Sequence, residues 1–188
     1  VEEMQHSALR LFSDSFRKRT DAILAILYKQ YGNIAWGDLL TERSVLERVP
    51  MLKSITSGIV NPVTQMNSLW LSDTAPVVSP INSRSSYIGL YDPSSWNTKF
   101  ILIRMNKNFP SESVVPISLY QSDSNTHFQL VDTSFAYRLY KDTQGDILRI
   151  DLPSNNKQYL KLTFNESGLF GSESIPLAYT IEAYGNKK

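Results

Sequence analysis

The sequence predicts a mainly β protein, an antiparallel β-sandwich or jelly roll preceded by an N-terminal helical segment of one long helix and one short one. Three observations carry that reading. Apolar residues recur at three- and four-residue spacings from Val1 to about Tyr31, and after about Ser54 the period becomes two. From there turn-forming clusters punctuate the chain at short intervals, with no helical stretch between them. The 188 residues therefore divide into a helical segment, 1–53, and a sandwich, 54–188.

In the first stretch Met4, Ala8, Leu11, Phe12, Phe16, Ile23, Ile26 and Leu27 form a stripe. Glu2, Glu3, Arg10, Asp14, Arg17 and Lys18 fall mostly off it. No Gly or Pro interrupts the pattern before Gly32, which stands where a helix C-cap would be. Such a helix runs roughly 45 Å at 1.5 Å per residue, longer than most globular helices. Its stripe must bury against the chain's own domain, a partner chain or a second copy. Met4, Ala8, Leu11, Phe12, Phe16, Ile23 and Leu27 are thus the candidate partner face. A second helix is expected over Asp38–Val49, with Ser44 and Glu47 at capping-box spacing and Pro50 as its stop.

Strands are expected at Ser68–Ser72, Tyr87–Tyr91, Lys99–Met105, Val115–Gln121 and His127–Val131. Four more are expected at Phe135–Tyr140, Asp146–Asp151, Gln158–Phe164 and Leu177–Tyr184. Turn signals separate them, among them Asp92-Pro93-Ser94-Ser95, Thr143-Gln144-Gly145 and Pro153-Ser154-Asn155-Asn156. Alternation of Leu148, Ile150 and Leu152 with Arg149 and Asp151 predicts one buried and one wet face per strand. Trp70, Tyr87, Tyr120, Phe128 and Tyr159 are expected in the core.

Composition removes several function classes. With 41% hydrophobic and 20% charged residues the chain is neither a disordered tail nor a membrane span. Its longest apolar run, Ala22–Tyr28, falls far short of the ~18–20 residues that cross a bilayer. Nineteen basic against eighteen acidic residues leave a net charge of +1, no footprint for nucleic acid, and this argues against a helix-turn-helix around Gly32–Gly37. Without cysteine there is no disulfide, thiol nucleophile or zinc-thiolate site. No leader segment is visible, and the chain starts at Val1 rather than Met, as a trimmed chain or one with an unusual start codon does.

The order of the strand phrases is informative. Asn67-Ser68-Leu69-Trp70-Leu71-Ser72 is followed by Tyr87-Ile88-Gly89-Leu90-Tyr91-Asp92 and then Phe100-Ile101-Leu102-Ile103-Arg104. Val115 to Asp123 comes next, with Phe128 shortly after. Tyr159-Leu160-Lys161-Leu162-Thr163-Phe164 and Ile181-Glu182-Ala183-Tyr184-Gly185 close the chain. This order resembles the discoidin family, the coagulation-factor C-type or galactose-binding-like jelly roll, over about residues 55–186. Ser124 stands where the family has Gly, Lys161 where it has Arg, and the terminal Cys pair of its secreted animal members is absent. Asn61–Asn67 lacks the acidic calcium loop of many sugar-binding relatives, so no metal is expected. The resemblance implies a sugar site in which an Arg at the end of the long strand, an Asn after it and an aromatic in the last loop contribute. Arg104, Asn108 and Phe170 hold comparable places.

Elsewhere the sequence offers little chemistry. His6 and His127 stand in no metal-ligand pair, and no nucleophile elbow or phosphate-cradling loop is present. Asp146 and Asp151 flank one strand, with side chains on opposite faces. Trp96, Phe109 and Phe170 fall at predicted loops, where aromatics stack on sugars or anchor interfaces. The expectation is a non-enzymatic recognition or assembly module without cofactor, binding a surface glycan or a protein partner within a larger extracellular or virion assembly such as a phage tail or baseplate. Partners are expected through the N-terminal helix, as a protein or the chain's own oligomer, without nucleic acid or membrane insertion. The expected location is extracellular, periplasmic or on the virion surface. The alternative is an extracytoplasmic sensor or accessory domain of a membrane protein or carbohydrate-active enzyme.

Overall fold

The computed structural model describes residues 2–56, 70, 72–73, 79–80, 87–105, 108, 117–131, 137–154, 157–164 and 177–188, of which 2–12, 55–56, 79–80, 117, 137, 164 and 177–179 by backbone alone. Helices α1 (Glu2–Gln30) and α2 (Ile34–Val45) lead into strands β1 (Glu47–Arg48), β2 (Leu52–Thr56) and β3 (Ser79–Pro80). Next come β4 (Tyr87–Tyr91), β5 (Trp96–Met105), β6 (Ile117–Ser122) and β7 (Gln129–Leu130). The chain ends with β8 (Tyr137–Tyr140), β9 (Ile147–Asp151), β10 (Tyr159–Phe164) and β11 (Leu177–Lys187). The protein is mainly β with an N-terminal helical segment.

Two antiparallel sheets stack. The first runs β1-β11-β5-β9-β8 with β3 added on β11; the second runs β2-β4-β10-β6-β7. Side chains alternate along each strand, and the inward ones meet between the sheets. Ile101, Ile103, Leu148, Ile150, Ile181 and Ala183 of the first sheet pack on Ile88, Leu90, Leu119, Leu160 and Leu162 of the second. At the end of β11 the register slips between Tyr184 and Gly185. Glycine fits there because a Cβ would lie 2.2 Å from the Asn97 carbonyl oxygen.

The outer face of the first sheet is also covered, which departs from the alternation read in the sequence. Phe100, Leu102, Ile147 and Tyr184 pack under Leu39 and Leu46, giving three layers of helix, sheet and sheet. Arg149, expected on a wet face, is 3% exposed. The helices sit over it, and Glu42 of α2 takes its guanidinium in a two-pronged pair. The unbroken run Phe100-Ile101-Leu102-Ile103 follows from the same cover, since a strand buried on both faces has no wet position to alternate with.

The expected core aromatics form a separate cluster. Tyr87 and Phe128 are buried, with Trp70, Tyr120 and Tyr159 partly so, away from the main inter-sheet core. On the same face lies Lys161, fully buried, its Nζ 4.4 Å and 5.1 Å from the ring centres of Tyr87 and Phe128. Burial pushes its pKa down to about 8.

Most predicted elements appear with shifted ends. The first helix stops one residue short of Tyr31, and Gly32 takes a φ of 91°, as a C-terminal glycine does. The second spans Ile34–Val45 rather than Asp38–Val49. It ends before Pro50 because Glu47 and Arg48 pair with Gly185 and Tyr184, and the Val49 amide donates to the Ala183 carbonyl. Strand pairing thus begins ahead of residue 54. The His127–Val131 strand shrinks to Gln129–Leu130, since His127 has a φ of 53°, outside extended geometry. The Ser68–Ser72 strand lies largely outside the described residues.

Candidate recognition surfaces

Helix α1 docks by its polar side. Arg17 donates to Asp14 Oδ1 at 2.9 Å, to Asp21 Oδ2 at 3.1 Å, and to the carbonyl oxygens of Arg43 and Leu46 at 2.8 and 2.7 Å. The last two oxygens belong to the end of α2, where a helix leaves carbonyls without partners and a cation is favoured. Asp21, 5% exposed, also meets Arg43 Nε at 3.1 Å. Both guanidinium groups lie over the Tyr184 ring, at 4.9 and 5.0 Å. Ala25 completes the buried line one turn further along.

The apolar side of α1 points outward. Phe16, Ile23, Ile26 and Leu27 are 67%, 60%, 67% and 43% exposed. Of the three ways to bury the stripe, docking on the chain's own domain is therefore not adopted at these residues. The contact with α2 and β11 is made instead by these charges, by Ala25, and by Tyr28 stacked on Trp36 with ring centres 6.3 Å apart. For Met4, Ala8, Leu11 and Phe12 the helical backbone is described and the side chains lie outside the described residues.

A second candidate surface is a cleft of about 380 Å³ at one end of the sandwich. The turn after β4 supplies Asp92 to Ser94, the start of β5 Trp96 to Thr98, and the loop before β10 Lys157 and Gln158. Backbone bonds fix these segments together: the Asp92 amide donates to the Gln158 carbonyl at 2.7 Å, and the Lys188 amide to that of Ser95 at 2.8 Å. Trp96 is half-buried, packed on the core by one side and within 5.6 Å of Lys187 Nζ. Lys157 Nζ pairs with Asp123 at 2.9 Å on the rim.

Asp92 is the unusual group. It is 6% exposed and accepts from the Thr98 hydroxyl at 2.6 Å. Burial pushes its pKa up to about 6, against the pull of Thr98 and Lys188. A carboxyl that holds its proton more tightly when folded makes the fold lose stability as pH rises from about 4 to about 6, with no further loss above that. Asp92→Asn keeps the acceptor for Thr98 and has no charge to bury. The variant is expected to be about 2–3 kcal/mol more stable than the parent at pH 7 and nearly equal to it at pH 4. Urea unfolding at the two pH values checks this, and a pH profile unchanged by the substitution would contradict it.

Among the described residues, the sequence candidates for sugar binding do not converge. Trp96 lines the cleft, whereas Arg104 stands eight residues along β5, about 26 Å away at ~3.3 Å per residue. Arg104 Nη1 donates to Asp142 Oδ2 at 2.7 Å and holds that carboxyl below the usual carboxylate range. Asn108 is exposed, and Phe109 and Phe170 lie outside the described residues. Asp92 and Thr98 were not legible as site residues, because Asp92-Pro93 reads as ordinary turn punctuation. Among the described residues no group of three His, Asp or Glu gathers as a metal site, and no helix is long and apolar enough to cross a membrane.

Fold and surfaces define a helix-backed antiparallel β-sandwich with an outward apolar helix face and a polar cleft at one end. No protein-family model matches the sequence, and no curated protein does.

Proposed function

We propose that the chain is a non-enzymatic recognition and assembly module of a larger extracellular or virion structure, holding a protein partner on α1 and a glycan at the end of the sandwich. The supporting observation is the orientation of α1. A helix whose Asp14, Arg17 and Asp21 face its own domain and whose Phe16, Ile23 and Ile26 face water has its apolar face open to another molecule. Trp96 and the hydrogen-bonding groups of the cleft suit a neutral polyhydroxyl ligand, with ring area for a sugar face and Asp92 and Asn97 for hydroxyls. The discoidin-like phrase order points the same way.

A glycan array probed with the parent chain, Trp96→Ala and Arg104→Ala tests the sugar half. Binding by the parent that falls at least about tenfold in Trp96→Ala and persists in Arg104→Ala places the ligand in the cleft. An array silent for the parent removes the glycan and leaves assembly. Turnover of any ester or glycoside in a broad substrate panel overturns the non-enzymatic reading.

A further inference from the structure

We infer that Asp92 is the specificity-determining residue of the cleft: its Oδ2 takes the hydroxyl hydrogen of a neutral sugar whose apolar face lies on Trp96. The inference rests on the glycan reading above and names its acceptor atom and ligand class. Asp92 lines the cleft and is more than nine-tenths buried. Among the described residues Thr98 is the only donor to its carboxyl, and that hydroxyl goes to Oδ1 at 2.6 Å. Oδ2 keeps its lone pairs for a molecule in the cleft. A buried acceptor without a donor is costly, and a ligand hydroxyl removes that cost.

The carboxyl is held in place before a ligand arrives. The Asp92 amide is bound to the Gln158 carbonyl, and the Trp96 amide donates to the Pro93 carbonyl at 3.0 Å. Asp92 and Trp96 thus line the cleft from either side of one closed turn. Charge selects against acidic sugars. Asp92, Asp123, Lys157 and Lys188 give the lining two carboxyl and two ammonium groups, and Lys187 lies by the Trp96 ring. Lys157 is taken by Asp123, and Lys188 already acts on Asp92. A ligand carboxylate at Oδ2 meets a like charge, whereas a hydroxyl there makes a charge-assisted bond. A hydroxyl given to Oδ2 also stabilises the anion that burial disfavours, so binding sheds a proton. Affinity then rises as pH passes through about 6 and levels above it.

NMR titration of the full chain with the methyl glycosides of glucose, galactose, mannose and glucuronic acid, at pH 5 and pH 7, tests this. Asp92→Asn is the variant, and circular dichroism verifies that it stays folded. The expected result is a neutral glycoside whose Kd is roughly fivefold or more lower at pH 7 than at pH 5. In Asp92→Asn its Kd at pH 7 rises about tenfold and no longer changes with pH. One monodeoxy analogue of that glycoside loses a similar factor with the parent at pH 7 and little with the variant, which locates the donated hydroxyl. A sugar bound equally by parent and Asp92→Asn, or a pH dependence that survives the substitution, overturns the inference and keeps the glycan reading. The glucuronide binding more tightly than the glucoside overturns it too. Silence from all four glycosides removes the glycan reading and the inference together, so the two failures are distinguishable.

Discussion

Glu42→Ala is expected to lower the unfolding free energy by about 3 kcal/mol, whereas Arg149→Met costs about 1 kcal/mol. The asymmetry follows from where each charge sits. The Arg149 side chain is 4% exposed, lying 4.1 Å over the Phe100 ring beneath α2, while the Glu42 side chain is 46% exposed. Burial alone lowers the pKa of this guanidinium, and the hydrogen bonds it donates to Glu42 and Asp151 outweigh it, so the group stays charged. Taking Glu42 away leaves a buried cation with Asp151 as its remaining carboxylate, at 2.8 Å. Taking the cation away leaves two carboxylates that reach water, and the Met side chain keeps the packing on Phe100. Equilibrium unfolding of both variants at neutral pH measures the difference. Equal losses would mean that the pair contributes through mutual attraction alone.

Arg17→Met is expected to cost about 3–5 kcal/mol and to loosen α1 from the sandwich. The guanidinium serves four acceptors at once, and no methionine atom replaces any of those bonds. Asp21 would keep Arg43 alone, the Arg43 carbonyl would keep only the Leu46 amide at 3.3 Å, and the Leu46 carbonyl would lose the Arg17 donor. Amide exchange over residues 14–28 should accelerate by the same factor as the loss in stability, because the damage is confined to the docking of one helix. Exchange unchanged in α1 would mean that another contact holds it.

The sandwich was legible in the sequence because its strands are short, two-periodic and bounded by turn residues. Tyr87–Tyr91 is read to the residue, and β9 and β10 to within one. Less legible was what covers the sheets. Arg149 looks like a wet-face residue since alternation reports that one side of a strand is polar, and says nothing of a helix laid over that side with a carboxylate to meet it. The unbroken Phe100–Ile103 run held that information and could have been read as a strand buried on both faces. The α1 stripe was plain, and its direction was not. A 3.6-residue period marks two faces of a helix without saying which one turns inward, and here three charged side chains settle the matter. Of the candidate sugar residues that are described, Trp96 alone reaches the cleft. The partnership of Arg104 with Asp142 depends on a contact across 38 residues that no local pattern encodes.

All of this depends on α1 being held by its charges while its hydrocarbon faces water. Unfolding of Arg17→Met beside the double variant Ile23→Ser/Ile26→Ser, in solution dilute enough to keep the chain monomeric, tests it most directly. The double variant should unfold within about 0.5 kcal/mol of the parent, as exposed substitutions do, while Arg17→Met loses several times that amount. The reverse order, with the serines ruinous and the methionine harmless, would put the apolar row inside and contradict it.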